Sequence, residues 1–369
     1  MNHIPPQANN AIAADAAKAR TFDDNELIRT AANVTRDLNG VRPAIYWSDL
    51  LASVVTGYGA MVAAIMLDNV GLALLAGIIS VLALYRAGSF IHELTHIRSG
   101  SIPGFRFVWN ALIGIPLLLP SFMYEGIHSL HHARTRYGTI EDPEYLPLAL
   151  MKPYTVPLFV LISALAPIGL FIRYALLAPL SLVTPSLRKV VVERYSGLII
   201  NPEFRRRPPE GQFKKIWYAQ EIAASIWAIA LLTVVATGLL PMRAFLIAVA
   251  IAAGAVVLNQ IRTLVAHLWE NDGEVMSVTE QYLDSVNVPP PGFLPALWAP
   301  VGLRYHALHH LLPGVPYHAL GEAHRRIAEA VPQESTYYRA NHTGLWGLVA
   351  GLVRGSSGHA ASVQPGAPG

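Results

Sequence analysis

Four runs of roughly 20 apolar residues, the length a bilayer core demands of a helix, decide most of what this chain can become. They are Leu51–Leu67, Val70–Phe90, Ile222–Leu240 and Ala244–Leu264. Lipid offers the backbone no hydrogen-bonding partner, so each run must satisfy its own N–H and C=O groups as a helix. The short links "DNV" and "PMR" join the runs in pairs, which predicts two hairpins. Composition agrees: 53% of the residues are hydrophobic and 14% charged, too apolar for an ordinary soluble domain. The fold class expected is all-α integral membrane, with four spanning helices.

Two further apolar stretches, Phe107–Tyr124 and Val156–Leu177, contain Asn110, Pro116 and Pro120, and Pro157, Pro167 and Arg173. Proline removes a backbone donor, which predicts re-entrant or interfacial segments rather than clean spans. Arg173, Arg188, Lys189, Arg194, Arg205, Arg206, Arg207, Lys214 and Lys215 fall between the hairpins, whereas the hairpin tips carry only Arg243. The positive-inside rule then places both termini and the middle region in the cytoplasm, in a bacterial inner membrane. No cleavable signal peptide is visible near Met1. Residues 1–45 read as a partly disordered cytoplasmic segment, 46–330 as the membrane domain and 331–369 as a tail disordered from about 355.

The absence of cysteine excludes disulfides, cysteine-bound zinc and iron–sulfur ligation. The net charge of +3 gives no reason to expect nucleic acid as a partner. Histidine is the unusual residue. "HELTH" holds His92 and His96, "HSLHH" holds His128, His131 and His132, and "HALHH" holds His306, His309 and His310. Eight imidazoles exceed the four or so ligands of one tetrahedral zinc and fit two metals. His92 and His96 share a helix face. A rise of about 1.5 Å per residue carries Val70–His92 about 33 Å, just past the hydrocarbon core. The second hairpin repeats the design, with Arg262 before His267 as Arg86 precedes His92. Clusters that share a site must lie on one side of the membrane, so an even number of crossings separates them. Four spans, two interfacial segments and a cytoplasmic histidine-rich cap meet that condition.

His92, Glu93 and His96 alone would also fit an H-E-x-x-H zinc membrane peptidase with Glu93 as general base, but six further clustered histidines would then have no task. A metal transporter would place its ligands near the bilayer midplane instead.

The three boxes, "HHARTRYGTIEDPEY" after the second and "GLRYHALHHLLPGVPYHALGEAHRRI" around the third, resemble the membrane fatty acid desaturase family, the three-histidine-box non-haem di-iron enzymes, over about Leu51 to Ala328. The resemblance implies two iron ions, O2 as co-substrate and two electrons from a ferredoxin-like or cytochrome b5-like carrier. It implies ligation by His92, His96, His128, His131, His132, His306, His309 and His310. His267 stands where several members have a ninth ligand. Thr263 replaces an Asn of the acyl-CoA branch, and the third box begins with His rather than Gln. Without a visible cytochrome b5 domain, this argues against the front-end type. The expected reaction is desaturation of an acyl chain linked to CoA, acyl carrier protein or a glycerolipid. The alternative is hydroxylation or ketolation of a lipid, alkane or carotenoid. Asp142, Glu144, Glu270 and Asp272 are candidates to orient the ligand rings. His318 and His324 read as structural, and His3, His342 and His359 receive no role.

Overall fold

A computed structural model describes residues 23–98 and 100–363. Among these the regular elements are helices, and the only sheet-like pairings are isolated bridges such as His267 with Ser285. Helix α1 (Asn25–Val34) precedes the first hairpin, α2 (Pro43–Met66) and α3 (Val70–His96). A helical run α4 (Thr155–Ser181) leads to α5 (Pro185–Tyr195) and to the second hairpin, α6 (Gly211–Ala236) and α7 (Met242–Leu264). Helices α8 (Leu320–Ala330) and α9 (Leu345–Val363) follow.

The long helices turn large apolar side chains outward. Val55, Met66, Val70 and Leu161 are 68–74% exposed, and only 17–28% of each helix's apolar window is buried inside the protein. That is the pattern of helices whose outer faces meet lipid. Inside, α2 and α3 approach closely at Gly57, where a Cβ would come within 2.6 Å of the Leu84 side chain. The Gly57 carbonyl accepts the Ser80 hydroxyl at 2.8 Å.

Phe107–Tyr124 doubles back on itself. Asn110 Oδ1 accepts the Ser121 N–H at 2.8 Å, and its amide donates to Ser121 Oγ at 3.0 Å, tying the two arms together. The second ambiguous stretch differs from expectation. Thr155–Ser181 is a fifth helix long and apolar enough to cross, so length and composition give five such helices rather than four. Its prolines do not end it, because the helix changes type around them. A 3₁₀ segment (Ile162–Leu165) precedes Pro167 in the first turn of the next α segment, and a π segment (Ile172–Leu177) follows. The run packs along α7, with Val156 and Phe159 in one cluster with Leu264 and Trp269, and Phe171 5.6 Å from Phe245.

The tail also differs. Positions from 355 to 363 continue helix α9 rather than coil, because Val349 and Leu352 pack into the cluster around Trp269. Of the N-terminal segment, residues 1–22 lie outside the described residues, and α1 packs against α8.

Candidate metal centre

His92 and His96 end α3 one helical turn apart, on its inner face. His128 and His131 lie on a single-turn helix capped by His132, and His306, His309 and His310 on another, His306–Leu311. His267 follows the end of α7 in a strand-like segment. There Leu268 N–H donates to Asp284 O at 2.7 Å and Val286 N–H to Ala266 O at 2.9 Å. Asn287, fully buried, fixes the third box by accepting the Leu308 N–H on Oδ1 at 2.9 Å.

These segments bring all nine histidines together in two neighbouring groups. One holds His92, His96, His128, His132 and His309; the other holds His131, His267, His306 and His310. Helical spacing explains the division. His128 and His132, four apart, face the first group while His131 faces the second; His306 and His310 face the second while His309 faces the first. Each short helix therefore serves both groups.

Hydrogen bonding fixes the tautomers of His128, His131 and His267. Asp142 accepts the backbone N–H groups of Gly138 at 2.9 Å and Glu144 at 2.8 Å, so its carboxylate receives the Nδ1–H of His131 at 2.9 Å. The Tyr137 hydroxyl donates to Asp284 at 2.7 Å and thus accepts from His267 Nδ1 at 2.8 Å. Glu144 takes the Tyr124 hydroxyl at 2.7 Å and faces His128 Nδ1 at 2.9 Å. With Nδ1 of these three rings committed, the imidazoles converge through their Nε2 atoms. His128 and His132 approach at 2.9 Å, His267 and His306 at 3.1 Å, and His309 lies 3.1 Å from His96 and 3.2 Å from His132. Both ring nitrogens of His92 are buried without a protein partner. Imidazole nitrogens gathered this closely, each able to offer a lone pair, fit a pair of metal ions.

Electrostatics favour the ligand-competent neutral rings. Burial, then the neighbouring imidazoles, holds His128, His132, His267, His306, His309 and His310 well below the usual range. His131 goes the other way: burial opposes its charge, but Asp142, with Glu144 and Asp284 behind it, raises it. Burial pushes Glu144 up to about 7 and Asp284 up to about 6.

Of the carboxylates expected to orient rings, Asp142 and Glu144 do so. Glu270 and Asp272 do not: both side chains are exposed. Asp284 takes that place, steadied by the hydroxyls of Tyr137 and Tyr145, the latter at 3.1 Å. No spacing in the sequence marks it, because only the return of the chain past His267 brings it near. One oxygen of Glu93 accepts from the Tyr46 hydroxyl and the Tyr317 N–H, and the other lies 3.8 Å from His92 Nδ1, at the edge of the first group. His318 accepts the Arg42 N–H and His324 meets the Tyr337 hydroxyl, both outside the groups. A cavity of about 20 Å³, room for one water-sized molecule, opens between Glu93, His96, His309 and Val315.

The Tyr137 contact gives a direct test. Tyr137→Phe removes the hydroxyl between Asp284 and His267. Metal affinity, followed by chelator competition, is expected to fall about 10–100-fold, as when other outer partners of ligand histidines are lost.

Apolar helices that deliver three histidine boxes and a lone ninth histidine into two adjoining groups define a membrane oxidoreductase of the desaturase and hydroxylase type. The chain belongs to the fatty acid desaturase family, whose model matches residues 69–342. It is 49% identical over 336 residues, covering 91% of this chain and 95% of the relative, to the ceramide hydroxylase of Caulobacter vibrioides (strain NA1000 / CB15N). No solved structure matches it.

Proposed function

We propose that this protein is an O2-dependent hydroxylase of a long-chain lipid of the ceramide type. Support for the substrate class comes from the 49% identity that extends over 95% of the ceramide hydroxylase. Support for the chemistry comes from the nine buried or half-buried histidines grouped as five and four. His92, His96, His128, His132 and His309 would hold one iron, and His131, His267, His306 and His310 the other. Iron with open positions supplies O2 reduction and C–H activation, which redox-inert zinc cannot. The chain's own residues hold most of the rings neutral, orient His131, His128 and His267 through Asp142, Glu144 and Tyr137, and shield the site from bulk water.

In hydroxylation one C–H bond becomes C–OH and the second oxygen atom leaves as water. Two electrons and two protons are consumed, the electrons from a ferredoxin-like or cytochrome b5-like carrier. Desaturation of a lipid-linked acyl chain, the reaction expected from the sequence, is the second reading, favoured by the family's name. It takes the same electrons and protons but releases both oxygen atoms as water.

We read the membrane arrangement as four complete crossings with the histidines on the cytoplasmic face of a bacterial inner membrane. Convergence of His132 and His267 needs an even number of crossings between them, and Thr155–Ser181 is the interrupted helix of the three that intervene.

Lipid profiling of cells with and without the chain tests the reaction. The expected product is a ceramide carrying one additional oxygen atom. A lipid lacking two hydrogens would assign desaturation instead, and one zinc per chain with peptide hydrolysis would return the H-E-x-x-H reading.

A further inference from the structure

The segment between Asp284 and Arg304 contains no charged residue. Its two feet are pinned beside the metal centre. Asn287 pairs with Tyr305 in an isolated bridge, and Arg304 donates to the carbonyls of Val288 at 2.8 Å and Gly292 at 3.0 Å. Between the feet, the chain projects an apolar tip: Phe293 is 74%, Leu294 57% and Leu297 47% exposed. Exposed apolar groups this closely placed cost free energy in water and mark a contact surface.

The depth of this tip can be read from its partners. The short helix Pro295–Trp298 packs on both α3 and α7, two of the helices apolar enough to cross the membrane. The Tyr85 hydroxyl donates to the Trp298 carbonyl at 2.8 Å. Tyr85 lies on α3 before the apolar stretch ends at Phe90, about 7 Å inside that end at the usual helical rise. Helical side chains lean toward the N-terminus, which here means further inward. The Trp298 end of the loop therefore lies level with the last turns of the apolar stretch of α3.

Irregular backbone survives in lipid only when its polar groups are paired or missing. Pro289, Pro290, Pro291, Pro295 and Pro300 carry no N–H to strand. Ala296 and Leu297 donate to Phe293 O and Leu294 O at 2.9 Å, and Ala299 donates to Pro295 O at 2.8 Å. The carbonyls of Val288, Gly292 and Trp298 accept Arg304 and Tyr85. The prolines and these pairings thus reduce the number of backbone groups that need a partner from the surrounding medium.

We propose that residues 289–300 form a bilayer-inserted loop that continues the lipid-facing surface of α3 and α7 and tethers the third histidine box to the membrane. The occupant of this surface is the acyl region of the bilayer. The proposal goes beyond the hydroxylase reading and stands or falls separately from it.

The chain has no cysteine, so single-cysteine variants carry a nitroxide label without background. Phe293→Cys and Leu297→Cys are compared in phosphatidylcholine–phosphatidylglycerol vesicles with Leu74→Cys on the outer face of α3 and with Glu334→Cys, exposed in a polar turn. Each variant is first checked for the iron content of the parent protein. O2, which concentrates in lipid, is expected to relax the labels at 293, 297 and 74 several-fold more than a water-soluble nickel chelate does, with the order reversed at 334. If nickel reaches 293 and 297 as readily as 334, the loop faces water or a protein partner, and membrane insertion is overturned. This readout does not involve turnover, so failure of the hydroxylase assignment leaves it unaffected.

Discussion

His267→Ala is expected to leave a folded membrane protein that has lost part of its iron and more than about a hundredfold in turnover. Losing an outer partner of a ligand histidine already costs about 10–100-fold, and this change removes the imidazole itself. His267 Nε2 lies 3.1 Å from His306 Nε2 in the group of four histidines, so its removal leaves three rings there. The group of five keeps every member, so the expected loss falls on one iron more than the other. Metal analysis and turnover of the purified variant check this. Full iron and full activity would make His267 a packing residue, with the centre resting on the three boxes.

Glu221→Ala is expected to produce the largest loss of stability among the changes considered. Glu221 is a buried carboxylate on α6 that faces two guanidiniums, Arg173 of the α4 run and Arg188 of α5, the latter at 2.8 Å. Arg173 is itself buried, donates to Ser196 Oγ and Tyr195 O, and packs 4.3 Å from the Tyr174 ring. Removing the carboxylate leaves a buried cation uncompensated, at a cost of about 3–5 kcal/mol. Arg188 is partly solvated and adds little. Thermal unfolding in detergent measures the loss. An Arg173→Met/Glu221→Leu double variant is expected to recover most of it, because an apolar pair of similar volume carries no uncompensated charge. Equal destabilisation of the single and double variants would show that the site depends on packing rather than charge.

Much of the metal centre is written locally. One long helix ends on a histidine and another stops three residues before one, because length and hydropathy set where a spanning helix emerges. The spacing within the boxes also decides which ring joins which group: His128 with His132, and His306 with His310, each share a helix face, while His131 and His309 point the other way.

Other features depended on distant parts of the chain. The proline-bearing stretch Thr155–Ser181 stays helical because changes of helix type absorb its prolines and α7 supplies a partner along its length. The tail stays helical through Val363 because apolar residues of α9 find the cluster around Trp269. Glu270 and Asp272, candidates from the sequence to orient ligand rings, are both exposed, and Asp284 reaches His267 through Tyr137.

The sequence by itself determined that this is a helical membrane protein and which side chains could bind metal. Those properties follow from apolar run length and residue chemistry, which need only a few neighbouring positions. Tertiary structure alone decided that the nine rings close into groups of five and four, that Asp284 rather than Glu270 orients His267, and that residues 289–300 lie against α3. Each of these depends on where the chain returns after a long connection, and the sequence of a single segment holds no record of the segment it will meet.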